Sequence, residues 1–313
     1  MLDFTSQPAS LTKHLDSLSH PLPRQVSTLA NIPLFVELQQ KSSASSDSTG
    51  TGTTGTTGTT LWLGAQLMAA YLAETLPFVA AGHEAKKKVI ELGGGVGYLA
   101  SKLRPELHQR VPTFSIVLAA MGYDVTTTDI DPPLTHVLRP NVSRNAARMS
   151  LPHVTAADLD WFAFPSLESG HVTSLDDRNS VPESCRDWLE PWETIVTTDT
   201  IYHADLIHPL LKTLRTLSVL ATSAKRTNKN SNDSNDQCLP SYPSIYVALE
   251  NRDPTLVKNA LDSAKVYGFN VKRISQTRVD KCLTKSGWSW NRDAKQDYDG
   301  IQIWKWRLSA ART

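Results

Sequence analysis

Lys88 to Gly97 read Lys-Val-Ile-Glu-Leu-Gly-Gly-Gly-Val-Gly, a short apolar run that passes directly into a cluster of glycines. Such a run predicts a buried strand, and the glycines after it predict a tight turn that opens a helix. Glycine tolerates positive φ and carries no Cβ, so a ligand can approach the backbone of this turn closely. Ligands of open α/β sheets bind beyond the carboxyl ends of the strands. The stretch therefore predicts an α/β fold with a ligand site at this turn.

Strand-like and helical patterns alternate along much of the chain, which is typical of a parallel sheet covered by helices. The predicted strands are Lys88–Leu92, Asp124–Thr128, His153–Ala156, Thr194–Thr198, Ser244–Leu249, Asn270–Ser275 and Ile301–Trp306. The predicted helices are Leu61–Thr75, Ile116–Met121, Pro133–Met149, Ala204–Leu220 and Pro254–Tyr267. Only a polar segment, Cys282 to Asp299, separates the last two strands, so we expect them to pair antiparallel as a long hairpin. We predict an α/β, Rossmann-like sheet of seven strands, mostly parallel with the last strand antiparallel, and helices on both faces.

Two segments are too polar and repetitive to pack into a core. Ser42 to Thr60 consists almost wholly of Ser, Thr and Gly, and residues 223–240 are rich in Asn, Ser, Lys and Asp. Such compositions bury too little apolar area to offset the entropy of ordering, so both segments are predicted to be disordered loops. We therefore divide the chain into an N-terminal extension, residues 1–60, and one domain that holds the predicted sheet, residues 61–313.

The overall composition excludes several classes of protein. The net charge of +1 gives no electrostatic footprint for nucleic acid or a membrane surface. Cys185, Cys238 and Cys282 lie far apart without C-x-x-C spacing, which argues against a metal site and against a disulfide framework. The sequence shows no signal peptide and no apolar run of the roughly 20 residues that a membrane span needs. We expect a soluble protein of the cytoplasm or the nucleus, without a bound metal.

Two details of the glycine turn favour S-adenosylmethionine over a dinucleotide. The dinucleotide fingerprint is G-x-G-x-x-G, whereas Gly97 comes one residue too early for its third glycine. Glu91 lies just before the turn, where a carboxylate can face the cationic amine of a methionyl group. The residues predicted to contact the cofactor here are Glu91, Gly93, Gly94, Gly95 and Gly97.

An acidic residue, Asp129, ends the second predicted strand. A carboxylate at this position can accept hydrogen bonds from both ribose hydroxyls of a nucleoside cofactor. The alternative is a helix N-cap or a solvated turn residue, a role for which Asp131, beside Pro132, is the better candidate. We predict that Asp129 binds the cofactor.

The fourth predicted strand ends beside the glycine turn with Asp199 and Tyr202, spaced as D-x-x-Y. A carboxylate and an aromatic face can hold and desolvate a substrate amine, which must be neutral when it accepts a methyl group. The alternative role for Asp199 is the N-cap of the helix that begins at Ala204. We predict that Asp199 and Tyr202 are catalytic.

Five elements together resemble the non-histone protein-lysine methyltransferases of the methyltransferase-like family, over about Leu61 to Leu308. They are the run Leu61-Trp62-Leu63-Gly64-Ala65-Gln66-Leu67-Met68-Ala69-Ala70-Tyr71-Leu72, the glycine turn, Asp129, Leu159-Asp160-Trp161 and Asp199-x-x-Tyr202. Ile245 to Arg252 and Ile303 to Trp306 are most similar to the branch close to methyltransferase-like protein 22. The resemblance implies a lysine side chain of another protein as the substrate, and a monomeric enzyme.

The resemblance also implies roles for individual residues. Trp62 and Trp161 would border the cofactor, with Trp161 near the adenine; the alternative is that both tryptophans are ordinary core residues. Gly93 to Gly95 would contact the methionyl part and Asp129 the ribose. Thr198 takes a cofactor-side position where relatives have a small residue. In the same family Asp199 and Tyr202 would line the lysine channel.

Other functions remain open at this point. One is a small-molecule methyltransferase, which would need a lid over its site, and Met1 to Gln40 could serve as one. Another is a binding protein that keeps the fold and has lost turnover. A nicotinamide oxidoreductase is disfavoured by the glycine spacing.

One segment, residues 100–115, departs from the family pattern, in which the glycine turn runs straight into a helix. It carries Pro105 and Pro112, each of which breaks an α-helix at a cost of about 3 kcal/mol or more. We hypothesise a retained intron, because Ala100-Ser101-Lys102 can be encoded through a GTAAG donor and Phe114-Ser115 through a CAG acceptor. A transcript that contains these codons in full would contradict this hypothesis.

Overall fold

The computed structural model describes residues 4–5, 17–29, 35–40, 58–79, 87–97, 116–149, 154–167, 181–229, 241–289 and 300–309. The strands are β1 (Phe4–Thr5), β2 (Ser17–Pro21), β3 (Phe35–Gln39), β4 (Lys88–Leu92), β5 (Asp124–Asp129), β6 (Val154–Asp158), β7 (Trp192–Thr198), β8 (Ser244–Glu250), β9 (Phe269–Arg273), β10 (Trp288–Ser289) and β11 (Ile301–Leu308). The helices are α1 (Arg24–Leu29), α2 (Leu63–Thr75), α3 (Ile116–Ala120), α4 (Arg139–Met149), α5 (Glu183–Arg186), α6 (Ala204–Lys229), α7 (Pro254–Val266) and α8 (Gln276–Ser286). A π-helical turn, Leu134–Leu138, leads into α4.

The main sheet has seven strands in the order β6-β5-β4-β7-β8-β11-β9. Six strands run parallel, and β11 is antiparallel to both of its neighbours, β8 and β9. The three central strands, β4, β7 and β8, consist mostly of buried residues because helices cover both faces. All seven predicted strands are present, with ends that differ by at most two residues. The predicted Rossmann-like fold is confirmed.

The core lies in two layers, one on each face of the sheet. One layer packs under α2, α3, α4 and α8, and the other packs under α6 and α7. Helix α7 begins as its sequence predicts, with the Asp253 carboxylate accepting the N–H groups of Thr255 and Leu256, at 2.9 and 3.0 Å. It gives way to β9 at Gly268, whose φ of +90° is characteristic of glycine after a helix.

The prediction of only a polar segment between the last two strands was wrong, because α8 lies between β9 and β11. Most of its residues are polar, but Val279, Cys282 and Leu283 follow helical spacing and are buried against the core. The helix ends at Gly287, which has a φ of +78°. The average hydropathy of this segment is low, although its few apolar residues form one narrow face of an amphipathic helix. Residues 290–299 lie outside the described part of the chain.

Helix α6 is longer than its sequence predicts, and it corrects the start of the loop predicted at residue 223. The helix continues to Lys229, and both Ser223 and Ala224 are buried. Small and hydroxyl side chains can pack closely within a helix, so a Ser- and Lys-rich composition does not exclude burial. Residues 230–240 lie outside the described part of the chain, as do residues 98–115, which include the segment of the intron hypothesis.

Part of the predicted N-terminal extension packs against the rest of the fold. Strands β2 and β3 pair antiparallel, and Val26, Val36 and Leu38 are fully buried. His20 Nε2 donates to Gln66 Oε1 of α2 at 3.0 Å within the core. Within the described part of the chain, no helix is both long and apolar enough to cross a membrane.

We expect Trp306→Ala to destabilise the fold strongly, because Trp306 lies fully buried on β11 between the two antiparallel neighbours. Removing the indole leaves a cavity, and such a change costs about 3–5 kcal/mol of unfolding free energy. The half-buried Trp304 on the same strand is the matched control, and Trp304→Ala should cost less. Urea denaturation measures both, and equal losses for the two variants would contradict this account.

Candidate active site

A cavity of about 720 Å³ opens at the carboxyl ends of β4, β5, β7 and β8. The glycine turn after β4 forms its floor. The residues that begin α2 and those that follow β5, β7 and β8 form its walls. This is the edge of the sheet at which the sequence predicts the ligand site.

The glycine turn lies so close to its neighbours that side chains would not fit. Gly93 and Gly95 have φ values of +69° and +54°. A Cβ on Gly94 would lie 2.1 Å from the hydroxyl oxygen of Thr127 on β5. The turn therefore requires glycine, and it presents bare backbone to the cavity.

Asp129, at the end of β5, points toward this turn. Its Oδ2 accepts the Gly95 N–H at 2.8 Å, and its Oδ1 accepts the Ile130 N–H at 2.9 Å. Burial raises the pKa of this carboxyl group, although these two hydrogen bonds oppose the shift. Asp131, the other candidate for a cap, is not at the N-cap position, but its Oδ1 accepts the Thr135 N–H of the following π-helical turn at 3.0 Å.

Glu91 is almost completely buried beneath the glycine turn, with 2% of its surface exposed. It accepts a hydrogen bond from the Thr127 hydroxyl at 2.8 Å. Burial raises its pKa to about 8, the Thr127 hydrogen bond opposes this shift, and the Asp129 charge adds to it. A cationic group in the cavity would favour the ionised carboxylate of Glu91.

Asp199 follows β7 and has a left-handed φ of +57°. Its carboxylate lies against the first turn of α2, where a Cβ on Gly64 would come within 2.3 Å of Oδ2. Oδ2 is buried and has no hydrogen-bond partner among the described residues. Burial raises the pKa of Asp199 to about 7, Glu250 adds to this shift, and Arg252 and the N–H groups of Gly64 and Ala65 oppose it. Asp199 therefore lies at the start of α2, away from the α6 N-cap position that was its alternative role.

The remaining predicted residues all reach the cavity wall. Tyr202 lies at its mouth, with 55% of its surface exposed, and Thr198 is buried behind Asp199. Trp62 immediately precedes α2, and a Cβ on Gly93 would lie 3.5 Å from the Trp161 ring. The structure thus gathers into one cavity every predicted site residue except Gly97, which follows the turn and is buried.

Several residues of the cavity wall were not predicted from the sequence. Thr60 ends the Thr- and Gly-rich segment, and its buried hydroxyl has no hydrogen-bond partner among the described residues. Ile130 and Phe162 expose large apolar surfaces beside Asp129 and Trp161, at 45% and 59%. Ile130 could have been predicted from the sequence, because it is an apolar residue directly after the predicted cofactor residue Asp129. Nothing in the sequence distinguishes Thr60 from the surrounding threonines.

The family model described as lysine methyltransferase matches residues 47–239, more than half of the chain. The chain belongs to the lysine methyltransferase family. No curated protein sequence gives a significant match.

Several solved structures are similar to this family member at low identity. A TehB-like S-adenosylmethionine-dependent methyltransferase from Corynebacterium glutamicum is 11% identical, with a TM-score of 0.38 over 79% of this chain and 87% of that one. Precorrin-6y C5,15-methyltransferase from Geobacter metallireducens is 9% identical, with a TM-score of 0.36 over 77% and 87%. Human methyltransferase 10 domain containing protein is 9% identical, with a TM-score of 0.35 over 79% and 83%.

The cavity of this methyltransferase fits its cofactor, S-adenosylmethionine. The bare backbone of the glycine turn leaves room for the methionyl group, and Glu91 can face its ammonium. Asp129 can accept from the ribose hydroxyls, and the exposed faces of Ile130 and Phe162 can cover the adenine. The unpaired Thr60 hydroxyl leaves one further polar contact open to the ligand. Among the described residues, no group of three or more His, Cys, Asp or Glu side chains could hold a metal ion.

We expect Asp129→Ala to weaken S-adenosylmethionine binding at least tenfold. A charge-assisted hydrogen bond contributes about 1.5–3 kcal/mol, and 1.4 kcal/mol corresponds to roughly a factor of ten in Kd. Asp205→Ala is the control, because Asp205 is an exposed carboxylate at the start of α6 that does not line the cavity. Calorimetric titration measures both, and unchanged affinity in Asp129→Ala would contradict the ribose contact.

We expect Glu91→Gln to reduce the loss of stability between pH 5 and pH 8. The folded-state pKa of Glu91 is raised to about 8, so the unfolded chain releases this proton first and the free energy of unfolding falls over that window. Glutamine keeps the shape and cannot ionise, which should remove a fall of roughly a few kcal/mol. Urea denaturation at pH 5 and 8 measures the effect. Asp199→Asn serves for comparison, because burial also raises the pKa of Asp199, to about 7, and this group should contribute a separate part of the fall. A Glu91→Gln variant that loses as much stability between pH 5 and pH 8 as the wild type would contradict the prediction.

Proposed function

We propose that this methyltransferase transfers methyl groups from S-adenosylmethionine to the ε-amino group of a lysine in another, non-histone protein. The observation that carries the proposal is the Asp199 carboxylate. It is buried at the cavity wall beside the cofactor turn, with one oxygen unpaired among the described residues. An unpaired buried carboxylate oxygen is costly unless a ligand satisfies it, and the N–H groups of a cationic amine are the donors that would do so best.

The chemistry of the wall suits an amine acceptor. When bound, S-adenosylmethionine supplies a methyl group on a cationic sulfur, which the acceptor attacks in line. In its ionised form Asp199 would bind the incoming ammonium and accept its proton as a general base, which leaves the nitrogen lone pair free to attack the methyl group. Because burial raises the Asp199 pKa to about 7, methyl transfer should increase as the pH rises through that value. The Tyr202 ring at the mouth would shield the neutral amine from water.

A protein substrate is supported by the openness of the cavity. Tyr202 and Phe162 at its mouth are more than half exposed, and none of the described residues of the Met1 to Gln40 segment lines it. A lysine side chain presented by a large partner needs such an entrance, whereas a metabolite enzyme usually covers its substrate. We further propose that the enzyme is a monomer, that it works in the cytoplasm or the nucleus, and that it is close to methyltransferase-like protein 22.

The test uses the purified full chain, S-adenosylmethionine with a labelled methyl group, and a cell extract. We expect label in a protein band that yields methyl-lysine on amino-acid analysis. Asp199→Asn should lower the transfer rate at least about a hundredfold while cofactor binding persists, since asparagine tolerates the left-handed φ. The control is Asp205→Asn, an exposed carboxylate near His203 at the start of α6.

Two outcomes would overturn the proposal. Label recovered only in small molecules would make the chain a metabolite methyltransferase on the same fold. Cofactor binding without any labelled product would make it a binding protein that has lost turnover.

A further inference from the structure

Two further charged residues belong to the cavity wall, namely Glu250 at the end of β8 and Arg252 two positions later. They form an ion pair with each other. The Arg252 guanidinium carbon also lies 4.9 Å from the centre of the Trp62 ring, over its face. Between them, the Asn251 N–H donates to the Gly300 carbonyl at 2.7 Å, which ties this backbone to the start of β11. The pair is therefore anchored beside the first turn of α2, where Asp199 lies.

The charges around Asp199 are strongly unbalanced. Five further carboxyl groups line the same cavity, namely Glu91, Asp129, Asp131, Asp160 and Asp253. The α2 N–H groups of Gly64 and Ala65 contribute partial positive charge at Asp199. His136 and Tyr202 are the other titratable side chains that the described residues place on this wall. Arg252 carries the one permanent positive charge among the described residues of the wall.

Glu250 and Arg252 act on Asp199 in opposite directions. Glu250 raises the pKa of the Asp199 carboxyl group and Arg252 lowers it. Arg252 can therefore favour the charged form of Asp199 only as long as its guanidinium stays near the wall. The Trp62 face and the Glu250 carboxylate hold it there, although 62% of the Arg252 side chain is exposed.

We propose that Arg252 is a positioning residue for methyl transfer: its guanidinium, held between the Trp62 indole and the Glu250 carboxylate beside the first turn of α2, favours the ionised form of Asp199 that receives the cationic acceptor. This inference rests on the proposed function for its catalytic meaning. Glu250 has two effects, since it orients Arg252 and its charge also disfavours the ionised form of Asp199. Ion pairs between exposed side chains contribute little to stability, so a purely structural role would leave little to measure.

The matched variants are Arg252→Gln and Glu250→Gln, with Arg252→Lys as the conservative exchange. Loss of the cation should move the acid limb of the kcat/KM profile to higher pH, by about half a unit or more. Loss of the Glu250 charge should move it to lower pH, because the Trp62 face still holds the Arg252 guanidinium near the wall. Arg252→Lys should keep most of the wild-type profile. A general loss of structure would shift both glutamine variants in the same direction or lower kcat/KM equally at every pH.

The Asp199 titration itself is measured by carboxyl carbon NMR in the absence of any substrate, with Asp199→Asn used to assign the signal. Opposite shifts in Arg252→Gln and Glu250→Gln support the inference. An Asp199 titration that is the same in all variants overturns it, whatever the substrate is. If the wild type transfers no methyl group to lysine, the proposed function fails, and the NMR titration still decides whether Arg252 and Glu250 control the charge of Asp199.

Discussion

The site depends on the close approach of the glycine turn to the end of β5. Gly94 lies so near Thr127 that a side chain would collide with it, and the Gly95 N–H donates to Asp129. These two contacts bring bare backbone and a carboxylate to the same point in space. Parallel neighbours in the sheet make this possible, because both strands end at the same edge.

Burial at this edge has an electrostatic consequence. Glu91, Asp129 and Asp199 all lose hydration, and burial raises the pKa of each of them. A cation bound in this cavity would lower these pKa values again, because it stabilises the ionised carboxylates. The cofactor of this family carries a positive sulfur and an ammonium, and a lysine acceptor would bring another positive charge. Arg252, the one permanent cation among the described residues of the wall, acts on Asp199, whose pKa is raised to about 7.

The errors of sequence interpretation have a common physical origin. Helix α8 and the last turns of α6 are polar on average, yet each buries a narrow face. Thr60 belongs to a low-complexity run, yet its hydroxyl is buried in the cavity wall. Composition measures how much apolar area a segment can bury, and it does not show which neighbour will cover the few residues that are buried. The N-terminal strands β2 and β3 were missed for the same reason, since only His20, Val36, and Leu38 are buried among their described side chains.

The sequence by itself determined the seven-stranded architecture, the glycine turn, and the acids at the ends of β5 and β7. These features follow from local periodicity and from the need for glycine where a backbone must be bare. Only the tertiary structure decided that Asp199 lies against the first turn of α2, and that Glu250 and Arg252 flank it. Asp199 and Gly64 are 135 residues apart, and Glu250 and Arg252 lie 51 and 53 residues after Asp199. No local pattern encodes these contacts, because they arise from the order in which the strands pack.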